Sequence, residues 1–119
     1  MDENSILDSI KIMLGIDKED TTFDVDITIH INSVFMALTQ LGVGPPEGFA
    51  ITDKDDAWTD FIEEGELIKF NSLKSYMFMK VKLVFDPTTL SSAVIASYEK
   101  LINEFEWRLY AAAGMNKEV

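Results

Sequence analysis

The sequence predicts an all-α protein, a small bundle of four to five helices with two long C-terminal helices and a short extended or hairpin segment near residues 48–53. Three observations carry that prediction. Apolar residues recur three and four apart through most of the chain, which is the spacing of one helix face. Breakers gather at a few points, above all Gly42, Gly44, Pro45 and Pro46, and again at Asp86-Pro87. The chain has 119 residues, 47% of them hydrophobic, enough to bury about two-thirds of the unfolded surface around one core without a staple. Residues 1–119 therefore read as a single domain, with no internal repeat and no low-complexity segment.

Residues 4–14 place Ile6, Ile10, Met13 and Leu14 on one face behind a cap at Asn4, and Gly15 suits the left-handed position that ends a helix. A polar loop follows from Asp17 to Asp24. The next segment is ambiguous, because Val25, Ile27, Ile29 and Ile31 alternate with polar residues at strand period. A second helix over 24–41 is preferred, since Ile27, Ile31, Val34, Leu38 and Leu41 continue a helical stripe past the length of an ordinary strand. The prolines then stop it. Phe49 to Ile51 reads as extended, and Thr52 with Asp55 has capping-box spacing for a short helix carrying Trp58, Phe61 and Ile62, closed by Gly65.

The most apolar stretch is 73–87, LKSYMFMKVKLVFDP, inside a helix predicted from Glu66 to Phe85. Its main stripe is Phe70, Leu73, Met77, Val81 and Val84, while Met79, Leu83 and Phe85 occupy other faces, so more than one partner must cover it. Burial inside one subunit and burial between subunits both satisfy the pattern. Thr88 or Thr89 is expected to cap the last helix, whose stripe is Leu90, Val94, Tyr98, Leu101, Phe105 and Leu109, flanked by Ile95, Ile102 and Trp107 and ended by Gly114.

Charge narrows the function. The net charge of −11 opposes tight binding of nucleic acid. It is unevenly placed: residues 1–66 hold 16 acids and 3 bases, and residues 67–119 hold 7 bases and 5 acids. An acidic solvated surface explains this, and so does self-complementarity, with the acidic part of one copy facing Lys69, Lys74, Lys80 or Lys82 of the next. There is no cysteine, which removes disulfides and thiolate metal sites. No signal peptide and no apolar run of spanning length is visible, so the chain reads as soluble.

Candidate chemistry is thin. His30 is the single histidine and sits among the polar positions of the second helix, without a GxSxG elbow. Paired-histidine metal binding is excluded by count. The acids at Asp17, Glu19, Asp20, Asp24 and Asp26, and at Asp53, Asp55 and Asp56, fail as calcium loops. A loop begun at Asp20 has Val25 and Ile31, and one begun at Asp17 has Thr22 and Thr28, where glycine and glutamate are needed. These acids read as caps and solvated loops. The segment 42–49, GVGPPEGF, lacks the third glycine of a dinucleotide fingerprint and the lysine of a P-loop, and reads as a stiff turn. Lys80 and Lys82 near Tyr76, Phe78 and Phe85 read as the solubilising edge of a buried helix. No enzyme activity and no cofactor is expected.

Four stretches in order, ILDSIKIMLGI (6–16), INSVFMALTQLGVGP (31–45) leading to GFAITD (48–53) and WTDFI (58–62), VKLVFDP (81–87) and EFEWRL (104–109), resemble the small head-tail connector proteins of tailed bacteriophages. The version they resemble is that of phages and prophages of Gram-positive bacteria. The likeness spans nearly the whole chain. It implies a structural virion protein, a helical head-completion or neck adaptor made in the host bacterial cytoplasm. Copies would form a ring of about a dozen under the portal protein, meet a downstream neck or tail-completion protein, and leave a channel through which DNA passes without specific binding. No membrane is involved.

Within that reading, Lys69, Tyr76, Lys80, Glu104 and Arg108 are expected to be exposed on the long helices and to form the subunit interface. The loop 42–56, with Gly44, Pro45, Pro46 and Phe49, and the C-terminal residues 115–119 are expected to dock on neighbouring rings. The competing reading is a small acidic helical prophage regulator or inhibitor that occupies a basic protein surface. A metal-dependent hydrolase using the acidic loops ranks third.

Overall fold

The computed structural model describes residues 4–62 and 73–117, with side chains as far as Ala111. Among these residues the elements are α1 (Ile6–Met13), α2 (Asp24–Gln40), a short α3 (Trp58–Phe61), α4 (Leu73–Phe85) and α5 (Ser92–Lys117), with a 3-10 turn at Pro87–Thr89. The all-helical expectation holds, and the described residues contain no strand, only an isolated antiparallel bridge between Ser5 and Ala57. The expected start of the long helix at Glu66, its stripe residue Phe70 and the stop at Gly65 lie outside the described residues.

The ambiguous isoleucine run is helical. Ile27, Ile31, Val34, Phe35 and Leu38 are buried on one face of α2, while Val25 and Ile29 are 73% and 57% exposed on the other. Strand-like alternation arose because both faces of this helix are apolar. Asp24 and Asp26 in its first turn complement the positive end of the helix dipole. Both α1 and α2 close with the same left-handed glycine motif. At α2, Val43 N donates to Leu38 O at 2.9 Å and Gly42 N to Thr39 O at 3.0 Å, with Gly42 at φ +86° and Val43 packed into the core beside Leu38.

Three caps differ from expectation by one to three residues. α1 is capped by Ser5 rather than Asn4: Ser5 has the extended backbone a cap needs, and its Oγ accepts from Asp8 N at 3.2 Å. The Thr52 partner is Asp56, not Asp55, and the box-like contact at α3 is Asp60 Oδ2 accepting from Ala57 N at 2.9 Å. At α5 the hydroxyl that accepts from Val94 N is Ser91, since the 3-10 turn uses Thr88 and Thr89 to close on Asp86. The helix also passes through Gly114 to Lys117.

One core joins α1, α2, α3 and α4, with Ile102 and Leu109 of α5 at its edge. Trp58 is fully buried, its Nε1 donating to Ser9 Oγ at 3.0 Å and its ring 6.3 Å from Phe35. α4 lies between α1 and α2 on one side and α5 on the other, and buries Leu73, Tyr76, Met77, Met79 and Val81. Several faces of α4 are thus covered within a single chain. Val84, expected on the stripe, is 59% exposed. The row of residues four apart from Leu73 through Met77 and Val81 continues to Phe85, whose ring meets Phe23 edge-on at 5.5 Å.

Candidate interaction surfaces

The seam between α4 and α5 is built around a buried hydroxyl. Tyr76, expected to be exposed, has no accessible surface. Its hydroxyl donates to Glu106 Oε2 at 2.8 Å, and Lys80 Nζ reaches the same oxygen at 3.3 Å. Burial, then the Glu106 carboxylate, pushes the phenol far above its ordinary range, so it remains a neutral donor. Lys80 also lies 5.5 Å from the Tyr76 ring. Two of the residues expected to face a neighbour therefore lock α5 onto α4 within the subunit.

The inward face of α5 consists of Ile102 and Leu109, buried, with Tyr98 and Phe105 packed partly against the core. These residues recur at four and three. Phe78 and Tyr98 meet edge-on at 6.2 Å. Several apolar side chains outside this row are exposed: Val94 and Leu101, both assigned to the stripe from the sequence, are 38% and 40% exposed, and Trp107 and Tyr110 are 71% and 61% exposed. Glu104 and Arg108 do stand on the accessible side, 3.9 Å apart, a separation at which an exposed pair contributes little. Lys69 lies outside the described residues.

The loop after α2 is rigid by construction. Gly44 has φ +85°, and a Cβ there would lie 2.6 Å from Phe61 Cζ, so only glycine lets the chain approach that ring. Phe49 is half-buried against Phe35 and Phe61, with centroids at 4.9 and 5.2 Å. Pro46, Glu47 and Ala50 are exposed. Asn32 holds the extended piece as a strand partner would: its Oδ1 accepts from Ile51 N at 2.8 Å and its Nδ2 donates to Ile51 O at 3.1 Å. Gly44, Pro45, Pro46 and Phe49 thus form one edge, with Pro46 outermost.

The acids serve the loops that carry them. Asp17 accepts from Glu19 N at 2.9 Å, Asp20 from Thr22 N at 3.0 Å and Asp53 from Asp55 N at 2.8 Å. Hydrogen bonds from Thr22 hold the Asp20 carboxyl below its ordinary range. Among the described residues no three metal-ligating side chains converge, and no helix is long and apolar enough to cross a membrane. His30 is half-buried in a hollow of about 490 Å³ with Asp26, Asp86, Phe23 and Phe85. A larger groove, about 620 Å³, runs between α1, α2 and Thr52–Lys54. Lys11 lies under this region, 1% exposed, its Nζ 2.8 Å from Asp24 Oδ1 and donating to Lys18 O at 3.0 Å.

The bare faces of α2 and α5 were not singled out from the sequence. The available signals were Val25 and Ile29, four apart, and Trp107 and Tyr110, three apart, each pair falling opposite its helix's core row. A protein-family model described as phage connector protein matches residues 6–116. No curated protein and no solved structure matches the chain.

Proposed function

Because this chain belongs to the phage connector protein family, a structural class that joins head and tail, we propose that copies of it close into a ring in the neck of the virion. One face of the ring meets the portal protein and the other a tail-completion protein, and the channel passes DNA without holding it. The observation that carries this reading is α5, one of whose faces packs on α4 while the opposite one exposes Trp107 and Tyr110. Single exposed aromatics are ordinary, but two adjacent ones on a helix of 26 residues, about 39 Å long, suit a lateral contact.

A closed ring needs two different patches per subunit, and the acidic N-terminal part and the more basic C-terminal part satisfy that need. The net charge of −11 favours a lumen along which phosphates slide. In this reading the edge at Gly44, Pro45, Pro46 and Phe49, and the residues beyond Gly114, dock on neighbouring rings, and Glu104 and Arg108 flank the lateral contact. The protein is assembled into particles in the bacterial cytoplasm.

The test is electron microscopy of the purified chain alone and with portal rings, backed by light scattering across protein concentration. Closed rings, free or seated on the portal, are expected. A stable monomer or two-fold dimer that ignores the portal and captures a basic host protein would favour the regulator reading instead.

A further inference from the structure

We infer that the outward face of α5 inserts into the groove between α1 and α2 of the next copy, so that Trp107 and Tyr110 of one subunit cover Val25 and Ile29 of its neighbour. This rests on the ring reading above and specifies which two patches meet.

Four observations converge on this pairing. Lys100, Asn103, Trp107 and Tyr110 recur at three, four and three, which makes them one stripe on the side of α5 away from its core row, and all four are exposed. The stripe carries one positive charge and no acid. The groove is lined by the apolar Leu7, Val25 and Ile29, and among its charged residues four are acids and two are bases; Asp8 is buried and Asp24 pairs with Lys11, which leaves Glu19 and Asp53 to meet Lys100. Its volume, about 620 Å³, lies in the range that accepts large side chains. A helix stripe entering an apolar groove is a recurrent mode of recognition, and buried Trp and Tyr are the side chains that most often dominate such contacts.

Position in the fold argues against the simpler alternative of contact within one chain. Among the described residues none of α4 or α5 lines the groove, and α5 packs chiefly on α4, which in turn packs on α1 and α2. The two patches are therefore separate surfaces of one subunit. Separate complementary surfaces make a heterologous contact, which propagates from copy to copy and can close. Contact between two α5 stripes would instead give a two-fold dimer and leave Val25 and Ile29 uncovered.

The absence of cysteine permits a clean test. Thr21→Cys on the groove and Asn103→Cys on the stripe replace exposed side chains outside the core and leave Val25, Ile29, Trp107 and Tyr110 in place, so circular dichroism of each variant should match the parent. Under mild oxidation, concentrated double variant should give a ladder of disulfide-linked oligomers, a mixture of the two single variants should give a dimer, and neither single variant alone should cross-link. A dimer from Asn103→Cys alone would overturn the pairing in favour of a two-fold α5 contact. Assembly seen by light scattering without the ladder would overturn the pairing and leave the ring reading standing. Failure of the parent chain to assemble at any concentration, with or without portal rings, would remove both. Lys100→Glu should weaken assembly at low salt by about tenfold, and this loss should shrink as salt rises.

Discussion

α4 and α5 are both rich in apolar side chains, yet they meet opposite circumstances. α4 lies in the middle of the molecule, touched by α1, α2 and α5, and its apolar residues on several faces find cover inside one chain. α5 lies at the margin, packed chiefly on α4, and turns Trp107, Tyr110, Leu101 and Val94 toward solvent. Apolar content therefore does not locate an interface; the number of helices that reach each face does. Most of the surplus that a second copy would cover sits on α5 and on the outer face of α2, while the oilier α4 contributes Val84.

The two tryptophans break this comparison most sharply. Trp58→Ala removes a fully buried ring and leaves Ser9 without its donor, so unfolding in urea should show a loss of about 3–5 kcal/mol. Trp107→Ala should change stability by no more than about 0.5 kcal/mol, as exposed substitutions usually do, while abolishing assembly in light scattering. Comparable losses of stability from the two would show that α5 is part of the core on both sides.

Next in size is the Lys11–Asp24 pair, which ties α1 to α2 beneath the groove. The Lys11 side chain is 1% exposed and the Asp24 side chain 29%, so the two partners are not equivalent. Asp24→Asn strands a buried cation with the Lys18 carbonyl and should cost about 3 kcal/mol in chemical denaturation. Lys11→Met keeps the packed stem but leaves the buried Asp24 Oδ1 without its cation, with only the rest of that side chain at the surface, and should cost about 2 kcal/mol. Equal losses from both would mean that the pair opens to solvent.

How much of this was legible in the sequence follows the same division. Helix existence, the glycine ends at Gly15 and Gly42, and the break at Asp86-Pro87 depend on local backbone chemistry, and local residues declare it. The preference for helix at 24–41 held because Ile27, Ile31 and Leu38 outlast a strand. Facing was less legible. The four-residue row from Leu73 drifts around α4 and reaches Phe85 rather than Val84, and on α5 the row that includes Tyr98, Ile102, Phe105 and Leu109 competes with one through Val94 and Leu101 that differs by a small rotation. Only the position of α4 decides between them. Tyr76 looked like an exposed contact because its partner, Glu106, is thirty residues away. Caps slipped because Asn4 and Ser5, or Thr89 and Ser91, are chemically near-equal, and the choice lies in the backbone angles of a turn.

Tyr76→Phe probes the seam between the two regions. It deletes one hydrogen bond while Lys80 still neutralises Glu106, so the global loss should be about 0.5–1.5 kcal/mol. The local effect should be larger than the global one. Amide hydrogen exchange should accelerate along α5 and stay unchanged in α2; uniform acceleration would mean that α5 and the core open as one unit.

The smallest effect should come from acid. Asp56 Oδ2 accepts from Thr52 N at 2.6 Å, from Thr52 Oγ1 at 3.1 Å and from Asp53 N at 3.2 Å. The Thr52 amide is the main cause holding this carboxyl below its ordinary value of 3.8, and slight burial opposes it. A depressed folded value means that the folded state binds fewer protons than the unfolded chain. The contribution is therefore complete above the ordinary value and is lost as the pH falls through the lowered one. Solvent screening keeps it modest, because the group is largely exposed. Below about pH 4, exchange protection in residues 49–57, beside the groove, should fall before protection in α5 does. Asp56→Ala should show that loss already at neutral pH and flatten the acid arm of the stability curve. Superimposable acid arms for the parent and Asp56→Ala would place the acid sensitivity elsewhere and remove this distinction between the groove side of the molecule and its bare helix.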